Sequence, residues 1–138
     1  PLAKSPKLDA ASLEFQNSEA MAEYRRGDFS EALRLVNRML DAQPQRSVLW
    51  QFKGECLFRL QRFDEALTSF RQLQTVGGPQ AEEAFLWVSL CHHNAGRTRE
   101  AKSVLEQFIS QGDEKVDPEL FSKAKAALGK LQSVGKAR

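Results

Sequence analysis

Apolar residues recur at helical spacing along most of the chain, in blocks that glycine, proline and short polar stretches separate. Three of these blocks share one arrangement, an alanine followed three or four residues later by larger apolar residues. Ala66 lies 34 residues after Ala32, and Ala101 lies 35 residues after Ala66. A period of this length is typical of stacked units that each contain two helices.

Within each unit the first helix is predicted to end at Gly27, Gln61 or Gly96, where glycine reaches the left-handed conformation more cheaply than glutamine. The second helix is predicted to begin beside Asp28, Asp64 or Thr98, whose side chains favour a helix start. After the third unit, Asp117-Pro118 opens one more helix with an apolar face. The pattern predicts helices over residues 10–26, 29–42, 47–60, 63–76, 81–95, 98–111 and 118–133, and no strand.

The second unit carries a recognisable motif. It places Trp50, Gly54 and Leu57 in the first helix, and Ala66 and Phe70 in the second. This spacing resembles the tetratricopeptide repeat, with the pattern W-x2-L-G-x2-Y followed by A-x3-F. The third unit matches less well, and the first unit matches only in its second half. The resemblance implies an all-α fold, a right-handed superhelix of three antiparallel helix hairpins with a closing helix.

The repeat also suggests how the chain is divided. We expect a single domain over residues 10–133, preceded by a flexible leader and followed by a basic tail. The expected segments are a leader at 1–9, repeats at about 13–46, 47–81 and 82–115, a closing helix at 118–133 and a tail at 134–138.

Small residues at fixed places predict where helices approach closely. Ala20, Gly54 and Ser89 occupy equivalent positions of the three first helices, and Ala32, Ala66 and Ala101 face them from the second helices. Trp50, Phe70 and Leu105 are expected to fill the space between hairpins and to be buried.

Composition argues against several functions. A net charge of +2 offers no strong field for nucleic acid, and no apolar run is long enough to insert into a membrane. Two cysteines do not make a disulfide framework, which favours the cytoplasm over secretion. The chain begins at Pro1 without a methionine, which is compatible with a fragment or with a processed form that has lost a targeting segment.

The sequence suggests no chemistry. The run Cys91-His92-His93 invites a metal site, but adjacent helical residues do not share a face, so we expect no metal. Cys56 and Cys91 are expected to be buried free thiols. No phosphate-binding loop or catalytic cluster is evident, and we expect neither a cofactor nor an enzyme.

The first helices of such a superhelix line its concave face, so this face is the candidate partner site. Its large apolar residues are predicted to be exposed and to form one stripe that binds a protein or peptide. The alternative is that the N-terminal residues or the closing helix cover them. The candidate residues are Asn17, Met21, Tyr24, Arg25, Gln51, Phe52, Glu55, Phe58, Arg59, Leu86, Trp87, Leu90, His93 and Asn94.

Three functions fit such a surface. The first is an adaptor whose groove takes a peptide or an amphipathic helix. The second is a self-assembly module, as a homo-oligomer or as part of a longer repeat array, and the third is a secretion-type chaperone for an unfolded client. Some members of the family clamp acidic chaperone tails with Lys, Asn and Arg. The matching positions here are Asn17, Met21, Phe52, Glu83 and Trp87, which do not suit that ligand.

Overall fold

The computed structural model describes Glu14, Phe15, residues 18–115 and residues 117–136, the last three of these by their backbone alone. These residues form seven α-helices and one 3-10 helix, without a strand among them. The predicted leader at 1–9 and the end of the predicted tail at 137–138 lie outside the described residues. The helices are α1 Glu19–Arg25, α2 Phe29–Ala42, α3 Ser47–Arg59, α4 Phe63–Val76, α5 Ala84–Asn94, α6 Thr98–Gln111 and α7 Pro118–Lys136.

Each helix packs mainly on the helices that precede and follow it in the chain. The pairs α1–α2, α3–α4 and α5–α6 are the three hairpins, and α7 closes the stack against α6. A stack in which most contacts join sequence neighbours is typical of a helical solenoid, so the predicted all-α architecture is confirmed.

The first predicted helix, near residues 10–26, is not continuous. Glu14 and Phe15 are helical, but Ser18 has an extended backbone and caps a separate helix that begins at Glu19, with its hydroxyl accepting from the Met21 amide. The fifth helix was expected to begin near residue 81, and α5 begins three residues later at Ala84, because a 3-10 helix occupies Pro79–Glu83. A capping serine and an early proline each end or divert a regular helix more strongly than the apolar pattern extends it.

The small residues allow the close approach that the repeat predicted. Gly54 lies so near the second helix of its hairpin that an added Cβ would stand 2.5 Å from the Phe70 ring. In the third hairpin the Ser89 hydroxyl donates a 3.0 Å hydrogen bond to the carbonyl oxygen of Ala101. Ala32, Ala66 and Ala101 are fully buried.

The core divides into two clusters. The larger one runs through the first two hairpins to the start of the third and includes Phe70, which is fully buried. The smaller one joins α5, α6 and α7 and includes Leu105. Trp50 was expected to be buried but is half-buried, because its indole nitrogen reaches outward to donate to the Pro44 carbonyl oxygen at 2.8 Å.

The closing helix begins as predicted, since the Asp117 carboxylate accepts a 3.2 Å hydrogen bond from the Leu120 amide. Leu120, Phe121, Ala124 and Leu131 are buried on its inner side. The helix continues to Lys136, three residues beyond the predicted end.

The three first helices end in the same way. After α3, the Gln61 amide donates to the Phe58 carbonyl and the Arg62 amide donates to the Leu57 carbonyl, the hydrogen bonds of a Schellman motif. Gly27 and Gly96 make the same turn after α1 and α5, with positive φ values of 84° and 86°. Gln61 adopts a φ of 62°, which is unfavourable for a residue with a side chain.

Gly54→Ala is expected to lower the free energy of unfolding by about 1–3 kcal/mol, because the methyl group overlaps the buried Phe70 ring. Gly129→Ala is the matched control, since a Cβ there meets nothing within 4 Å and alanine is the better helix former. The control should raise stability by about 0.5–1 kcal/mol. Urea unfolding measures both, and equal effects of the two changes would contradict the close approach.

Gln61→Gly is expected to raise the free energy of unfolding by about 0.5–1 kcal/mol, because glycine relieves the left-handed backbone. Gly96→Gln makes the opposite change at the equivalent turn, where a Cβ would meet no atom within 4 Å. It should lower stability by about 1 kcal/mol, as thermal and urea unfolding can show. A loss of stability in the Gln61 variant would refute this account.

Candidate functional site

The first part of the predicted stripe is closed by the chain itself. Phe52 was expected to be exposed, but only 3% of its surface is accessible, so that prediction is wrong. The Phe15 ring meets it edge-on with ring centroids 4.8 Å apart, and the Tyr24 ring lies 5.3 Å away. The physical reason is that Phe15, upstream of the Ser18 cap, packs onto α3 and covers this part of the concave face.

The middle of the stripe also belongs to the packing between hairpins. The Trp87 ring stacks on the buried Phe70 ring, with centroids 5.0 Å apart and an interplanar angle of 10°. Phe58 meets Trp87 edge-on at 5.7 Å. Both Phe58 and Trp87 are half-buried and pack against the larger core cluster, so they join the second and third hairpins.

Arg59 already has partners within the chain. Its Nε donates to the Tyr24 hydroxyl at 3.3 Å, and its guanidinium lies 6.0 Å from the centroid of the Phe29 ring. Arg59 therefore links the first two hairpins.

The remaining candidates differ in exposure. Asn17 lies outside the described residues. Met21, Gln51, Glu55, Leu86 and His93 are half-buried, and Arg25, Leu90 and Asn94 are exposed. Leu90 is 43% accessible, the most exposed large apolar side chain of the described part. The continuous stripe is thus reduced to its last third, around Leu90.

A cleft of about 470 Å³ opens at this end, between α5 and the closing helix. The sequence placed Leu86, Leu90 and His93 on the concave face, and the structure brings these three together. Sequence reasoning missed the other wall, because it assigned α7 to capping alone. The cleft is lined by Leu86, Ser89, Leu90, His93, Lys123, Ala126, Ala127, Lys130 and Leu131.

Several polar groups of the cleft take part in structural hydrogen bonds. The His93 ring and the Thr98 hydroxyl share a 3.2 Å hydrogen bond, and the Asn94 amide at the edge donates to the Leu90 carbonyl at 2.8 Å. Lys123 Nζ pairs with the Glu83 carboxylate at 2.7 Å. The walls therefore combine fixed polar groups with apolar surface open to solvent.

The run that invited a metal site has other roles. Cys91 is a buried free thiol, and the His92 ring accepts a 3.0 Å hydrogen bond from Arg97, which also reaches Asp64 of the second hairpin at 2.7 Å. Burial lowers the pKa of His92, and Arg97 lowers it further. Within the described ranges, no three His, Cys, Asp or Glu residues gather as metal ligands.

The cysteines follow the prediction. Cys56 and Cys91 are both buried free thiols. Burial raises the pKa of each thiol to about 12, so neither is a ready thiolate.

The fold and this cleft define a class, the helical-hairpin solenoids with a concave face. A tetratricopeptide repeat family model matches residues 17–82 and again residues 53–114, which together span well over half of the chain. The chain therefore belongs to the tetratricopeptide repeat family. No curated protein is significantly similar to it in sequence.

Solved structures share the fold at low identity. SycD, the type III secretion translocator chaperone of Yersinia enterocolitica, superposes with a TM-score of 0.70 and 17% identity, over 98% of this chain and 93% of SycD. The first TPR of Spaghetti (RPAP3), bound to an HSP90 peptide, gives 0.70 and 19%, over 92% and 95%. PcrH, in complex with the chaperone binding region of PopD, gives 0.69 and 16%, over 93% and 96%. Among the residues described here, no helix is both long and apolar enough to span a membrane.

Glu55 on the concave face makes stability depend on pH. Burial raises its pKa from 4.5 to about 7, and Arg59 offsets only part of that rise. The folded state therefore binds a proton that the unfolded state has lost, so this group's contribution to stability falls as pH rises from about 4.5 to about 7.

Glu55→Gln is expected to raise the free energy of unfolding by about 1–3 kcal/mol at about pH 8 and to change it little at about pH 4. The neutral amide avoids the cost of a buried carboxylate. Glu106→Gln, at an exposed position on α6, is the control and should stay within about 0.5 kcal/mol at both pH values. Urea unfolding at the two pH values measures this, and a pH-independent gain for Glu55→Gln would contradict it.

Proposed function

We propose that this protein is an adaptor domain that binds a peptide or an amphipathic helix of another protein in the cleft between α5 and α7. The observation that carries the proposal is Leu90, a large apolar side chain left 43% accessible on the wall of a concave site. Exposed apolar surface in a concave site is typical of protein contacts.

The energetics of the cleft support binding. Burying a leucine completely is worth about 1.5–3 kcal/mol, so covering the exposed part of Leu90 contributes about 1 kcal/mol. Leu86 and Ala127 are half-buried beside it and would add further contact area. A ligand needs several such contacts to offset the entropy lost on association.

The proposed role involves no reaction. The Ser89 hydroxyl is held by the Ala101 carbonyl, and His93 shares its hydrogen bond with Thr98. These groups shape the cleft, and its open surface is apolar with a basic edge.

Known relatives in fold support a peptide ligand. SycD has been solved with a peptide of the translocator YopD, and the first TPR of Spaghetti with an HSP90 peptide. The acidic-tail clamp does not suit this chain, because Phe52 at one of the clamp positions is buried and Glu83 at another is itself acidic.

A second candidate is a chaperone role for a client segment, favoured by the resemblance in fold to SycD and PcrH. A chaperone would use the same cleft as the adaptor and would differ from it in the length of the client segment that it binds. Self-assembly is the remaining alternative, and SycD itself has been solved as an alternative dimer. Light scattering over a concentration series distinguishes self-assembly from binding to another protein.

Leu90→Ser is expected to weaken peptide binding about tenfold or more, because it removes the exposed anchor of the cleft. Peptides selected by display on the whole chain serve as ligands, and fluorescence anisotropy gives their Kd. Circular dichroism should show an unchanged fold, since Leu90 does not belong to the buried core.

The control is Arg38→Ala, at an exposed position on α2 far along the chain from the cleft. It should leave Kd within about twofold of the original. Selected peptides that bind the Leu90 variant as tightly as the original chain would refute the proposed site.

A further inference from the structure

Two basic residues, Lys123 and Lys130, line the cleft between α5 and α7 beside the apolar side chains, and none of its nine described lining residues is acidic. A ligand that buries apolar side chains there brings its own polar positions close to these two ammonium groups. Carboxylates are the groups that gain from this arrangement.

The two lysines differ in their present partners. Lys123 pairs with Glu83 at 2.7 Å and with Glu119 at 3.5 Å, in a pair that is about half accessible to solvent. Lys130 is exposed and has no ion pair with any residue the structure describes. A carboxylate of a ligand can therefore pair with Lys130 directly, and it can exchange with Glu83 at Lys123.

The spacing of the lysines sets a register. They are seven residues apart on one helix and line the same cleft, so they stand two turns apart, about 10 Å along the axis. Ala127 lies between them, and Leu86 and Leu90 form the facing wall one helical turn apart. The apolar surface of the cleft therefore lies between Lys123 and Lys130.

The cleft is large enough for such a ligand. A cavity of about 150 Å³ already accommodates benzene, and this one measures about 470 Å³, so more than one apolar side chain can enter. An amphipathic helix places apolar side chains three or four residues apart and can place acids seven residues apart on the same side.

We propose that the cleft recognises an acidic amphipathic helix, whose apolar residues enter between α5 and α7 and whose two carboxylates, seven residues apart, pair with Lys123 and Lys130. This inference rests on the proposed binding function and names its ligand class.

Synthetic helical peptides test it on the whole chain. Four peptides share the same leucines and differ only in polar positions. The first carries two glutamates seven residues apart beside the leucines. The second and third carry glutamine or lysine at those two positions, and the fourth carries the two glutamates on the opposite face of the helix. The first should bind about tenfold tighter than the glutamine peptide at low salt, and the advantage should shrink as salt screens the charges. The lysine peptide should bind weakest.

Lys130→Glu should remove the preference for the glutamate peptide and improve binding of the lysine peptide. Lys125→Glu is the control, with the same charge change on the same helix outside the cleft, and it should keep the original preference although it also removes the exposed 3.0 Å ion pair with Glu114. Circular dichroism verifies that both variants fold.

The outcomes separate the two proposals. If all four peptides bind equally and Leu90→Ser still weakens each of them, the acidic ligand class is refuted while the binding cleft stands. If the peptide with displaced glutamates binds as well as the first, the register is refuted. If no peptide binds, or if Leu90→Ser changes nothing, both proposals fail.

Discussion

The close approach of the two helices in each hairpin is the constraint on which the rest of this structure depends. Gly54 leaves no room for a methyl group against Phe70, and the Ser89 hydroxyl reaches the backbone of Ala101. Since each helix packs mainly on its neighbours in the chain, the separation within a hairpin also sets where the next hairpin stands.

Aromatic packing decides which part of the concave face remains available. Phe15 covers Phe52, and Trp87 of the third hairpin lies flat on Phe70 of the second, so these rings are used in packing within the stack. Among the described residues, Leu90 is the large apolar side chain that stays exposed, and there the closing helix supplies a second wall. The proposed binding site is therefore shared between a repeat and the cap that ends the repeats.

Most of the fold could be predicted from sequence because the repeat ties helix positions to local patterns. The alanines, the small residues facing them and the helix ends at Gly27, Gln61 and Gly96 follow from spacing within one unit. The burial of Phe52 was left open between two alternatives, because it depends on the Phe15 ring, which lies before the Ser18 cap and outside the repeat pattern. Only the α5 wall of the cleft could be predicted from the sequence, because the second wall depends on how α7 packs and not on the repeat.

The division of the core into two clusters has a consequence for cooperativity. The cleft is built on the smaller cluster, around Leu105 and the closing helix, and Val104 is among the few side chains that pack against both clusters. In a chain of nearest-neighbour contacts, the terminal unit opens at a lower free energy than the middle, so amide protons of α7 should exchange before those of α3 and α4. A ligand held between α5 and α7 would then stabilise this terminal unit, and the stability of the unit would report whether the cleft is occupied.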